Sequence, residues 1–184
     1  MSAVSPHRIH LALALVVLCT LAGLSLLRAR PVTAQSVDRV AILQAYYDAL
    51  AQGDVEGMLS GYTDNATFIS PSGLCSMPNP CVGKDAIRAR FQQMVSAHYC
   101  ETPTNFDVTG SIVAGRKEVR NDALRANGIE RIIAVTFFQM PQDKVSFAIS
   151  YIETTDSQTA ANNAIAAGTQ AKGTPIPTPD TPCG

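Results

Sequence analysis

The stretch Ala45-Tyr46-Tyr47-Asp48-Ala49-Leu50-Ala51-Gln52-Gly53-Asp54-Val55-Glu56-Gly57-Met58 decides the fold. Val40, Leu43, Tyr47 and Leu50 recur at helical spacing, with Ile42, Tyr46 and Ala49 beside them, so a helix with a broad buried stripe is expected from Val37 to about Gln52. Ser36 is its expected cap. Gly53 supplies the left-handed residue that ends it, and Asp54 is read as the N-cap of a second helix to about Tyr62, with Val55, Met58, Leu59 and Tyr62 inward.

Outward from this corner, Ala66 to Ser70 reads as a strand stopped by Pro71-Ser72-Gly73. A third helix is expected from Lys84 to about Tyr99, with Ile87, Phe91, Met94 and His98 on one face. After Pro103 the period becomes two. Phe106, Val108 and Ile112 alternate with polar residues, Ala114-Gly115-Arg116-Lys117 looks like a turn, and Glu118 to Arg125 reads as a polar strand. Asn127-Gly128 signals a hairpin, followed by strands over Arg131–Met140 and Val145–Glu153. Helices followed by a four-stranded meander make an α+β class. Residues 156–184, rich in Ala, Thr and Pro, are expected to be a disordered tail.

The formal net charge of −1 argues against a nucleic-acid surface. Ile9 to Leu27 carries no charge. Two readings stand: residues 1–34 as a signal peptide cut after Val32-Thr33-Ala34, or 9–27 retained as a transmembrane signal anchor. Either places the rest outside the cytoplasm, secreted or tethered. A cleaved leader takes Arg8, Arg28 and Arg30 from the 14 basic residues, leaving 11 against 15 acidic ones and a charge of about −4. Beyond the leader lie Cys75, Cys81, Cys100 and Cys183, an even number consistent with disulfides in an oxidising compartment. Two prolines stiffen the loop between Cys75 and Cys81 and favour a local bridge there; Cys100 with Cys183 would then clip the tail. No metal site is expected, because the spacing exceeds that of a zinc knuckle and no His lies in the loop.

Over roughly 37–155 the chain resembles the nuclear transport factor 2-like superfamily and its SnoaL-like branch. The resemblance rests on the opening Tyr46 to Met58 pattern, on Tyr62-Thr63-Asp64-Asn65-Ala66-Thr67-Phe68, and on Gly83-Lys84-Asp85-Ala86-Ile87. It implies a cone of three N-terminal helices packed on a curved, mostly antiparallel sheet. It also implies either a cofactor-independent isomerase, cyclase or hydratase, or a dimerisation or scaffold module using the outer sheet face as a homodimer. The ketosteroid isomerases of that superfamily offer a test. Tyr46 falls at their Tyr position, Ser70 at their base position, and Ala134-Val135-Thr136-Phe137 holds no carboxylate, so their proton transfer is not expected here.

Two sets of candidate residues follow. His98, placed inward by its helical phase, is the candidate base, with Asp107 on the next strand to orient it. A cone lined by Tyr46, Tyr62, Phe68, Ser70, Phe91, Phe138 and Tyr151 is the expected site for a small apolar molecule, which is the leading functional expectation. No phosphate loop or cofactor fingerprint occurs, so no cofactor is expected.

Overall fold

The computed structural model describes residues 38–180 and Cys183. The expectations for the leader, with its 9–27 span and Val32-Thr33-Ala34 site, and for the Ser36 cap lie outside the described residues. Helix α1 (Arg39–Gln52) is capped by Asp38, whose carboxylate accepts the Ala41 N–H at 3.1 Å. Gly53, at φ 72°, ends it in the left-handed conformation. Asp54 caps α2 (Val55–Ser60) by accepting the Gly57 N–H at 2.9 Å.

Strand β1 (Tyr62–Ile69) begins four residues before its expected start. Its register with the last strand, Val145–Ile152, shifts between Tyr62 and Thr67, so the polar Thr63-Asp64-Asn65 interrupts the alternation that marks a strand. The two-residue β2 (Cys81–Val82) and α3 (Lys84–Ser96) follow. A meander of β3 (Cys100–Thr109), β4 (Ile112–Arg120), β5 (Ile132–Gln139) and β6 (Val145–Ile152) completes one six-stranded sheet, in the order β2-β1-β6-β5-β4-β3.

The sheet is mostly antiparallel, as expected, and mixed in that β1 runs parallel to β6. Two expectations are corrected. Residues Ala114 to Lys117 lie inside β4; the hairpin turn falls instead at Gly110, where φ is 58°. Asn127-Gly128 closes a short helix α4 (Asp122–Ala126), capped by Asn121, rather than a hairpin.

The tail also differs from its expectation. Helix α5 (Ser157–Ala166) is capped by Asp156, whose carboxyl is held below its usual range chiefly by the Thr159 backbone N–H and then by Arg131. Beyond it the chain runs back along α4, with Gly173 N–H bonding Asn127 O and Ile176 N–H bonding Arg125 O, both at 2.9 Å. Disulfides join Cys75 to Cys81 and Cys100 to Cys183. The Cys100–Cys183 link is as expected, but composition does not register backbone docking, which is why the rest of this segment reads as unstructured. Among the described residues no helix is long and apolar enough to cross a membrane.

The interior falls into two apolar clusters. The larger joins α1, α2, α3 and β1 through Leu43, Leu50, Met58, Phe91 and their neighbours. The smaller joins Val119, Leu124, Ile129, Ile132 and Ala134, with Ile165 of α5 packed against it. Tyr99 touches both. Replacing Cys100 and Cys183 by Ser opens a loop spanning 83 positions, with an expected loss of about 2–4 kcal/mol of unfolding free energy. Denaturant titration measures that loss. Hydrogen exchange should show the Gly173 and Ile176 amides becoming unprotected.

Candidate functional site

The aromatic residues expected to line a hollow cone fill it instead. Phe91 lies 5.7 Å from Tyr46, 5.6 Å from Tyr62 and 5.7 Å from Phe68 between ring centroids, in edge and tilted contacts. Tyr46, Tyr62, Phe91 and Phe138 are core residues. Tyr151 lies on the outer sheet face, half exposed and packed on Phe137. Of the expected lining, Phe68 and Ser70 alone reach the interior cavity of about 50 Å³.

His98 and Asp107 do not meet. Helix α3 stops at Ser96, so the phase that would point His98 inward ends before reaching it. His98 takes a positive φ of 45°, and its Nδ1 lies 2.7 Å from the Asp122 carboxylate at the partly exposed end of α4. Asp107 is exposed on β3 and accepts a hydrogen bond from Asn105.

The cavity that does form lies at the seam of the two clusters, with Phe68 and Met94 from one wall and Val119, Ile132 and Ala134 from the other. It has about 50 Å³ of room. Three charged side chains face it: Arg90 from α3, Glu101 from β3 and Lys117 from β4. Lys117 Nζ donates to Glu101 Oε2 at 2.6 Å, and their side chains are 4% and 7% exposed. Val113, Gly115, Lys117 and Val119 form the inward face of β4. Because Glu101 pairs with Val119, Lys117 is its diagonal neighbour across the ladder.

Arg90 is 4% exposed. Its Nη1 donates to Gln93 Oε1 at 2.6 Å, and its guanidinium carbon sits 5.3 Å from the centre of the Tyr99 ring. The loop after β1 closes over this group. Leu74 N–H reaches Gln93 Oε1, and a Cβ on Gly73 would stand 2.6 Å from Arg90 Nη1. Gly73 therefore makes room for the guanidinium as well as adopting φ 74°. Ser70 Oγ lies within hydrogen-bond reach of Ser72 O and Leu74 O, so it anchors this loop. Across the cavity Ser150 Oγ pairs with Thr136 Oγ1 at 2.7 Å.

Burial, reinforced by the Glu101 charge, pushes the Tyr46 and Tyr47 hydroxyls well above their ordinary range, and the same two causes raise Tyr62. Among the described residues, no group of three or more His, Cys, Asp or Glu is placed to hold a metal ion.

Sequence reading missed all three charges. Arg90 was legible: it sits three residues after Ile87 and four before Met94, on the apolar stripe of α3. Lys117 was hidden in a polar run that resembles a turn, although Val113, Lys117 and Val119 share one strand parity.

The SnoaL-like domain family matches residues 43–146, more than half of the 184-residue chain. The chain belongs to the SnoaL-like domain family. Its fold is similar to that of an epoxide hydrolase/cyclase-like enzyme, SalBIII, described for pyran ring formation in the polyether salinomycin. The TM-score is 0.54 at 25% identity, covering 64% of this chain and 92% of that one. It is also similar to a putative polyketide cyclase from Sinorhizobium meliloti, with TM-score 0.51, 17% identity and coverage of 60% and 94%. A nuclear transport factor 2-like protein of unknown function from Cytophaga hutchinsonii superposes with TM-score 0.52 at 11% identity, covering 66% and 96%. Comparison with curated proteins gave no match.

The buried phenols set an alkaline limit. Tyr46, Tyr47 and Tyr62 keep their protons in the folded SnoaL-like domain above the ordinary value of 10.0, whereas the unfolded chain releases them there. Above that pH the unfolded state binds fewer protons, so their contribution is complete below about pH 10 and declines as pH rises. Each phenol adds a slope of about 1.4 kcal/mol per pH unit. Denaturant titrations from about pH 9 to about pH 11 should show this fall, and Tyr46→Phe with Tyr62→Phe should flatten it.

Proposed function

We propose that this SnoaL-like domain is an exported, cofactor-independent enzyme that moves a proton on a small carbonyl compound bound at the Arg90–Glu101–Lys117 cavity. The observation that carries the reading is the buried Glu101–Lys117 pair, opening on a cavity walled by Phe68, Met94, Val119, Ile132 and Ala134. A carboxylate and an amine buried together at a cleft are candidates for acid–base chemistry on geometry. The polar lining argues against the wholly apolar ligand expected from the sequence.

The division of labour follows from the donors. Lys117 has three N–H donors and uses one on Glu101 Oε2, so others are free to hold a substrate carbonyl oxygen. Glu101 Oε1 accepts a proton from the carbon beside that carbonyl. The C–H electron pair moves into the enolate, whose oxygen charge is stabilised by the Lys117 ammonium. Return of the proton to a different carbon completes an isomerisation. Attack by the enolate carbon on a second carbonyl carbon of the same molecule closes a ring, the C=O π pair moving onto that oxygen, which takes the proton from Glu101. The cyclase-like descriptions of two similar structures favour this class of reaction. Two disulfides, bonds characteristic of oxidising compartments, favour export.

Proton abstraction can be read without knowing the product. In deuterated water, the domain should catalyse deuterium entry beside the carbonyl in a panel of small cyclic ketones and β-dicarbonyl compounds, followed by mass spectrometry. Glu101→Gln should slow exchange by about 10² or more, in line with the usual contribution of a general base. Exchange equal to the buffer rate across the panel, or unchanged in the variant, would overturn the assignment.

A further inference from the structure

Among the described residues, Arg90 has no carboxylate within salt-bridge distance. Arg88, Arg116, Arg120, Arg125 and Arg131 each have a carboxylate within salt-bridge distance. Arg125 is as buried as Arg90 and faces Asp122. Arg90, 4% exposed, has only the neutral Gln93 amide and the Tyr99 ring among the described residues, and its buried Nε has no hydrogen-bond partner. An unpaired buried charge is among the most destabilising arrangements in a protein. The cavity as a whole is unbalanced in the same sense: Arg90 and Lys117 face a single carboxylate, Glu101. One further negative charge would neutralise it.

The surroundings hold the guanidinium ready rather than hiding it. Gln93 and the Tyr99 ring fix its plane, and the loop tied by Cys75–Cys81 lies over it with Gly73 clearing Nη1. The cavity's room of about 50 Å³ suits a head group, not a whole substrate. A second hollow of about 290 Å³ shares Ser70, Pro71, Ser150 and Ile152 with it and adds the apolar Met77, Ile149 and Tyr151. The two adjoin where β1 has ended at Ile69 and β6 continues to Ile152. A head group in the first and a hydrocarbon body in the second describe one amphipathic molecule.

We infer that the substrate is a carboxylic acid with an apolar body, its carboxylate bound by the Arg90 fork and its body lying between Met77 and Tyr151. Together with the proton-transfer reading, on which this part rests, that makes it an oxo acid whose ketone oxygen meets Lys117. A planar guanidinium matches a carboxylate with two parallel hydrogen bonds, which an ammonium at the same place does not.

Hexanoate and hexanamide at neutral pH provide the test by calorimetry or thermal shift. They share a body and differ in charge, and neither carries a ketone, so binding reports on Arg90 whether or not proton transfer occurs. Hexanoate should bind the wild-type domain at least about tenfold more tightly than hexanamide, the range of a charge-assisted hydrogen bond. Arg90→Met should remove that preference, and Arg90→Lys should recover only part of it. Equal binding of acid and amide to the wild-type protein, a comparison that needs no variant, would overturn the inference. So would hexanoate affinity unchanged in Arg90→Met.

Discussion

Lys117 and Glu101 meet at 2.6 Å inside the molecule, and the plan of the interior turns on that contact. Two charges withdrawn from water need each other, because removing either leaves the other uncompensated. Their presence interrupts the hydrophobic core. On one side the aromatic cluster around Phe91 is packed solid; on the other, Val119, Ile132 and Ala134 form a separate cluster under α5. The cavity is the gap that the charges keep between them. A filled, apolar cone would be simpler to fold, and departures of this kind are expected at functional sites, in keeping with the proposed function.

Around that gap the chain is stiffened at several points. Gly73 lets the loop after β1 approach the Arg90 guanidinium, and Ser70 and Gln93 hold the loop from either side. The Cys75–Cys81 bond ties the loop ends, and the Cys100–Cys183 bond secures the tail beside the start of β3, one residue from Glu101. A site held by covalent links and by a dense aromatic wall is preorganised, which is what the proposed enolate chemistry requires.

The fold was readable because its signals are local. The α1 stripe, the left-handed Gly53 and the Asp54 cap are each consequences of a few neighbouring residues, and the structure places them as the sequence implies. The family resemblance drawn from the same stretch agrees with the match over residues 43–146. The site was hardly readable because its signals are not local. Glu101 and Lys117 are 16 positions apart and become partners through the β3–β4 register, which polar residues on both strands conceal. His98 and Asp107, close in sequence and chemically apt, are separated by the end of α3. Arg90 was within reach: a cation on a helix stripe otherwise made of Ile87, Phe91 and Met94 breaks the binary pattern, and such breaks carry function more often than they carry stability.

On the proposed function, the three cavity charges are retained for a ligand and not for the fold. Equilibrium unfolding of the triple variant Arg90→Met, Glu101→Leu, Lys117→Met tests it most directly. Replacing a complete buried ionic group by apolar residues of similar size is expected to leave stability unchanged or raise it by about 1–4 kcal/mol, and the account predicts that outcome. A loss of about 3–5 kcal/mol, the size seen when a needed ion pair is broken, would show that the cluster holds the structure together and would contradict it.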